Sequence, residues 1–198
     1  MTVKAKIHME DFCQATGNVT SNKYRSSYEE CSDLILKYEL LLKKEVDDET
    51  LELINNENKV YEVYEIALKY INTKLRSKKE LKNYLVNKGY DPSIVDEVII
   101  ILINQNYIDD KLYANSYVHD RMILSNEGPN KIKDYLDKQG ISYEAIMDAL
   151  NVYTEEIEKE KIEKLVTKQI KSNNNKGSSL LKKKIQMYLL NLGYNYEL

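Results

Sequence analysis

Apolar side chains recur every three or four residues through most of the chain, with charged residues between them, and that period predicts amphipathic helices. Three of these stretches, residues 76–90, 128–141 and 182–194, align on a glycine. In each, an aliphatic residue stands eight positions before the glycine (Leu81, Ile132, Ile185). A Tyr-Leu pair stands five and four before it (Tyr84-Leu85, Tyr135-Leu136, Tyr188-Leu189). Positions i, i+3 and i+4 share one face of a helix, so each set marks a stripe that packs into a core. Gly89, Gly140 and Gly193 lie 51 and 53 residues apart and are expected to take the left-handed position that ends each helix. Three matches in phase make an internal repeat.

Helices flank each glycine helix. Before them, Tyr61, Tyr64, Leu68, Ile71 and Leu75 define one, Leu112, Tyr113, Ser116, Tyr117 and Leu124 a second, and Ile157, Leu165, Val166 and Ile170 a third. After Gly89, Asp91 and Pro92 launch a helix carrying Val95, Val98, Ile99 and Leu102; after Gly140, Ser142 caps one carrying Ile146, Met147 and Leu150. Ser77 with Glu80 forms a capping box, and Pro129 sits where a missing N–H costs nothing. Asp109 or Asp110 starts the second flanking helix, a simpler role for this carboxylate pair than metal binding or acid–base chemistry. Thr154 opens the third, with Glu155 and Glu156 in its first turn. The expected organisation is an N-terminal extension over 1–56 (loop or weak strand at 11–28, then short helices), followed by repeats at 57–108, 109–153 and 154–198. The last repeat lacks a closing helix, so its end either frays or docks. Such three-helix units would stack into an all-α, elongated, solenoid-like body.

Composition agrees with helix: only Gly 6 and Pro 2 occur, far too few turn residues for an all-β chain. Hydrophobic residues at 42% and charged residues at 31% provide a core under a charged exterior. The longest apolar run, residues 98–103, is six residues against the roughly 20 of a membrane helix, and the first residues lack the apolar stretch of a secretory signal. A soluble cytoplasmic protein is the expectation. Tyr 17 against Phe 1 and Trp 0 reads as coding bias alongside the abundant Lys, Asn and Ile. Cys13, Cys31, His8 and His119 are scattered outside any zinc or triad spacing, and the Asn173–Ser179 stretch lacks the first glycine of a phosphate loop. No active site, metal or cofactor is expected.

The short motifs have a further meaning together. Arg76-Ser77-x-x-Glu80-Leu81, Gly89, Asp109-Asp110-x-x-Tyr113-Ala114, the helix from Gly128 through Ile132 to Gly140, and the lysine-rich helix ending Leu192-Gly193-Tyr194 resemble the RecX family, regulators of the RecA recombinase. The likeness covers residues 57–196, and residues 33–42 and 48–54 resemble the helical end of a small N-terminal region that some members carry. The resemblance implies a non-enzymatic, monomeric protein of tandem three-helix repeats. Its partner would be the RecA–single-stranded DNA filament, whose ATP hydrolysis and strand exchange it would modulate, mostly by inhibition, in DNA repair, recombination and the SOS response.

Charge marks where such contacts would fall. The net charge is −3, made of −4 over residues 1–60, −1 over 61–110, −1 over 111–154 and +3 over 155–198. Lys182, Lys183 and Lys184 head the basic end, and Arg76, Lys79, Arg121, Lys131 and Lys133 stand at other repeat-helix ends. These eight are the candidate partner- or DNA-binding residues. The alternative is a helical-repeat protein that binds nucleic acid directly; the acidic net charge weighs against it and the lysine triplet for it.

Overall fold

The computed structural model describes residue 37, residues 47–172 and residues 178–195. Between residues 47 and 195 the described residues form eight helices and no strand. These are α1 (Asp48–Ile71), α2 (Lys78–Asn87), α3 (Pro92–Asn104), α4 (Asp110–Leu124), α5 (Pro129–Lys138), α6 (Tyr143–Leu150), α7 (Glu155–Ser172) and α8 (Ser178–Leu192). The expected loop or weak strand at 11–28, Cys13, Cys31 and His8 lie outside the described residues, as does the 33–42 segment apart from Lys37. The chain divides into two compact units: one ends at Tyr70 and resumes over Leu85–Val98, and the other comprises Ile71–Tyr84 and Ile99–Leu198.

In the first unit, α1 is one helix of 24 residues, so the boundary expected at 56/57 falls inside it. Its buried side chains are Ile54, Val63 and Ala67, whereas Tyr61 is exposed. The buried stripe lies one residue before the expected one, with small Ala67 and Val63 inside and bulky Tyr61 outside. Leu85, Val95 and Val98 are buried in the same unit, as their spacing predicts.

The second unit is built around α4, α5 and α6. Tyr113, Ala114, Val118, Ile132, Leu136, Ile141, Ala145, Ile146, Ala149 and Tyr153 form its core, with Tyr117, Tyr135 and Leu150 packed on the edge. Each fully buried Leu or Ile here contributes about 1.5–3 kcal/mol. The α4 face differs from expectation, since Leu112 and Leu124 are exposed. Small Ala114, Ala145 and Ala149 let the helices approach closely beside Tyr113 and Val118, and Leu112 and Leu124 are turned outward. Met147 is likewise exposed. Ile185, Tyr188, Leu192, Ile162 and Val166 join Leu165, Leu189 and Tyr194 in a second cluster between α7 and α8, which leaves Ile170 exposed.

The helix ends follow the sequence closely. Gly89, Gly140 and Gly193 have φ of +92°, +79° and +89°, the left-handed region that only glycine enters cheaply. After each, the next amide (Tyr90, Ile141, Tyr194) donates to the carbonyl of the paired leucine (Leu85, Leu136, Leu189) at 3.1–3.4 Å. Asn106, at φ +59°, ends α3 in the same way. The capping box is reciprocal: Glu80 N donates to Ser77 Oγ at 3.1 Å, and Ser77 N to Glu80 Oε2 at 3.2 Å. The two adjacent aspartates serve different helices. Asp109 Oδ1 accepts from Lys111 N and Leu112 N at 2.8 and 3.0 Å, capping α4. Asp110 Oδ1 accepts from Lys78 N at 2.8 Å, at the first turn of α2.

The glycine helices meet head to tail. At the tail of α5, the Gln139 carbonyl accepts from the Ser77 hydroxyl at 3.3 Å and the Lys138 carbonyl from Lys79 Nζ at 2.9 Å, both at the head of α2. At the head of α5, Gly128 N donates to the Leu192 carbonyl at 2.7 Å and Asn130 N to the Gly193 carbonyl at 3.1 Å, both at the tail of α8. Ser77 and Gly128 are equivalent in the repeat, and the missing side chain at Gly128 lets backbone touch backbone. Free carbonyls at one helix end are thus satisfied at the next, by side-chain donors of α2 and by backbone amides of α5, with opposite dipole ends adjacent. The α7–α8 pair, called the third unit for its place in the sequence repeat, docks on α5 through this joint, where α5 amides cover the α8 tail carbonyls. Helix α8 itself begins three residues before Leu181, the position matching Ser77 and Gly128, so it has no comparable head.

Candidate partner-binding surface

The basic residues fall into three settings. Lys79 and Arg76 belong to the head of α2. Lys79 is exposed, but its ammonium is engaged by Lys138 O, and a Cβ added to Gly140 would lie 3.0 Å from its Cδ. Arg76 is half-buried, with Nη2 donating to Thr73 Oγ1 at 3.4 Å.

Arg121 and Lys131 converge on Glu127. Arg121 Nε stands 3.5 Å from Glu127 Oε2, and Lys131 Nζ stands 3.2 Å from Oε1. The Arg121 guanidinium also lies over the Tyr117 ring, 4.9 Å from its centroid. Tyr117 stacks on Tyr135 at 4.4 Å between centroids and on Tyr113 at 6.4 Å. Burial pushes the Tyr113 and Tyr117 hydroxyls above the usual phenol range. Burial alone would lower Arg121, but Tyr117 and Glu127 hold its proton more firmly than usual. The result is a fixed cation on a tyrosine ladder, offering a planar donor fork at the surface. Lys133 Nζ lies 5.1 Å over the Tyr143 ring, on the same helix as Lys131.

Lys182, Lys183 and Lys184 occupy the N-terminal half of α8 and are all exposed. The structure thus brings Arg121 and Lys131 together, while Lys79 and Arg76 serve the α2 end. Sequence reasoning missed Glu127 as the anchor, although its place four residues before Lys131 is a helix-pair signal. It also missed the outer side of α8, where Leu180, Met187 and Leu190 are exposed. The signal was apolar residues outside the repeat's core phase.

Beneath α8 the joint is sealed by hydroxyls. Tyr153 OH donates to Glu127 O at 3.2 Å and lies 3.2 Å from Tyr194 OH. With its one proton committed, Tyr153 accepts from Tyr194. Lys161 Nζ donates to Ser125 O at 2.9 Å and lies over the Tyr153 ring. Glu158 is half-buried beside this pair, and burial raises its carboxyl above the usual range against a backbone N–H from Asn195. A folded pKa above the unfolded one gives stability that is present below the unfolded value and lost as pH rises through the folded value. Ionised Glu158 therefore works against the fold at neutral pH. Glu158→Gln is expected to raise the thermal midpoint slightly at pH 7, with the gain vanishing below about pH 4. A loss at pH 7 would count against this reading of the carboxyl.

Among the described residues, no helix is long and apolar enough to cross a membrane. Residues 64–100 match the family model for the first three-helix domain of RecX, and residues 109–150 match that for the second. The regulatory protein RecX of Leuconostoc mesenteroides is 33% identical over 165 residues, which is 83% of this chain and 62% of that protein. That of Clostridium botulinum strain Alaska E43 is 32% identical over 169 residues, 84% of this chain and 79% of that protein. The chain spans 60–62% of the Leuconostoc relative and its Oceanobacillus iheyensis counterpart. The crystal structure of RecX from Lactobacillus salivarius superposes with a TM-score of 0.67 at 33% identity, covering 71% of this chain and 92% of that one. A second crystal structure, of a regulatory protein RecX, gives 0.76 at 24% identity and shares the fold.

Proposed function

Because the chain belongs to the RecX family, we propose that it is a cytoplasmic, monomeric, non-enzymatic regulator. It binds the filament that a RecA-type recombinase forms on single-stranded DNA, and it lowers the ATPase and strand-exchange activity of that filament. The observation that carries this reading is the likeness, over most of the chain, to proteins named for regulation. The helices docked on α5 add a physical support. They present several separate surfaces, including the Arg121 fork and the exposed triplet of Lys182, Lys183 and Lys184. A binder with more than one surface can engage more than one subunit of a polymer, so one copy affects several.

The test is ATP turnover by the cognate recombinase on single-stranded DNA with this protein titrated in. Turnover is expected to fall at ratios well below one copy per recombinase monomer. Unchanged turnover at equimolar protein would count against the reading. The direct nucleic-acid reading rests on the lysine triplet, and salt-dependent binding to single-stranded DNA without recombinase would favour it.

A further inference from the structure

Helix α8 has two apolar sides. One carries Ile185, Tyr188 and Leu189 and is packed into the α7–α8 cluster. The other carries Leu180, Met187 and Leu190, which are 70%, 59% and 40% exposed. Their spacing of seven and three places them on one stripe, and Lys183, three after Leu180 and four before Met187, lies within it.

The repeat shows that this stripe is not a by-product of the fold. Counted from the aligned aliphatic residue, Leu180 takes the place of Arg76 and Glu127, and Met187 that of Asn83 and Asp134. Leu190 takes the place of Val86 and Asp137. Arg76 and Glu127 precede their helices; within them the matching positions are Asn83 and Val86 on α2 and Asp134 and Asp137 on α5, so only α8 is apolar at both. Three exposed apolar side chains on one side of a helix, with a lysine between the first two, suit a contact surface.

Chemistry selects the occupant. A second copy pairing symmetrically through this stripe would gather two sets of Lys182, Lys183 and Lys184 in one interface. A nucleic-acid strand wants aromatic rings for its bases, and the stripe has none. A helix with an apolar stripe edged by carboxylates would cover Leu180, Met187 and Leu190 and pair with Lys183. We propose that the outward face of α8 is a docking site for an amphipathic, acid-edged helix of a partner protein. This rests on the function proposed above, which makes that partner a subunit of the recombinase filament.

The test compares the full chain with its M187D/L190D variant, and with D134N/D137N as a control on the matching face of α5. Binding is measured to recombinase filaments on oligo(dT) with a slowly hydrolysed ATP analogue, and to oligo(dT) alone. Circular dichroism checks the fold and sedimentation the oligomeric state. The expected result is a loss of filament affinity of about tenfold or more for M187D/L190D, with helicity kept and the control unchanged. Aspartates near a helix C-terminus oppose the dipole, so M187Q/L190Q carries the same test should the first pair lose helicity. If the parent binds filaments and neither variant is weaker, the docking site falls and the filament reading stands. If the parent does not bind filaments, both fall. An equal loss in the control, a matching loss on oligo(dT) alone, or a parental dimer that the variant abolishes would each overturn the proposed occupant.

Discussion

Replacing Gly193 with alanine is expected to undock the third unit, at a cost of about 2–5 kcal/mol. Two separate penalties combine there. The φ of +89° disfavours any side chain, and the added Cβ would fall against Lys131 N and 2.5 Å from Lys131 Cβ. Neighbouring glycines separate the two. Gly89 shares the left-handed conformation, but a Cβ there meets nothing within 4 Å, so Gly89→Ala should cost only about 1–2 kcal/mol of strain. Gly128 has an ordinary φ of −85°, but its Cβ would lie 2.7 Å from the Gly193 carbonyl carbon and oxygen. Gly128→Ala should therefore cost about 1–3 kcal/mol from overlap alone. Urea denaturation ranks the three. Hydrogen exchange locates the damage, because the Gly128 and Asn130 amides are protected by Leu192 and Gly193 and should lose that protection in Gly193→Ala. If Gly193→Ala costs no more than Gly89→Ala, the joint has room to shift and does not hold the third unit.

Reversing the lysine triplet is expected to weaken filament binding by roughly tenfold to a hundredfold at low salt. Lys182, Lys183 and Lys184 lie in the only segment with a positive balance, +3 over residues 155–198. Both phosphates and acidic protein surface attract such a segment over about 8 Å at physiological salt. Changing all three to Glu leaves the packed side of Ile185, Tyr188 and Leu189 untouched. Glutamate is a good helix former and suits the N-terminal half of a helix, so helicity should be retained. The variant should also show a shallower salt dependence than the parent. Equal binding at low salt would make the triplet a solvated face and move the contact surface to the first two units.

What could be read before the fold was known divides along the range of the forces involved. Helix ends are local, so Ser77 with Glu80, Pro129, Ser142 and the three C-terminal glycines could be placed from a few residues each. Helix α3 was placed on its correct face because four aliphatic residues leave one choice. The α1 and α4 faces went astray where alanine is the core residue, since size misleads a pattern that counts bulk. Helix α1 was cut short because its first half alternates charge and apolar groups without a sharp stripe. Contacts between distant residues left no local trace. Nothing near Asp110 says that it caps α2, nor near Lys79 that it closes α5. The candidate cations were legible as charges, but the Glu127 carboxylate and the tyrosine ladder that fix Arg121 depend on α4 meeting α5.

The head-to-tail joint between glycine helices has a direction, and α8 ends it. A further unit would need to place its tail carbonyls on the amides of Leu181 and Lys183, the positions matching Gly128 and Asn130. Because α8 starts at Ser178, Lys183 lies within it and its amide is spent on a carbonyl of the helix's own first turn. Through this joint, the tail carbonyls of another copy would therefore find no free backbone donor at this end. The extra turn of helix is expected to act as a chain stopper, closing to a further copy the bonds that join α8 to α5 within one chain.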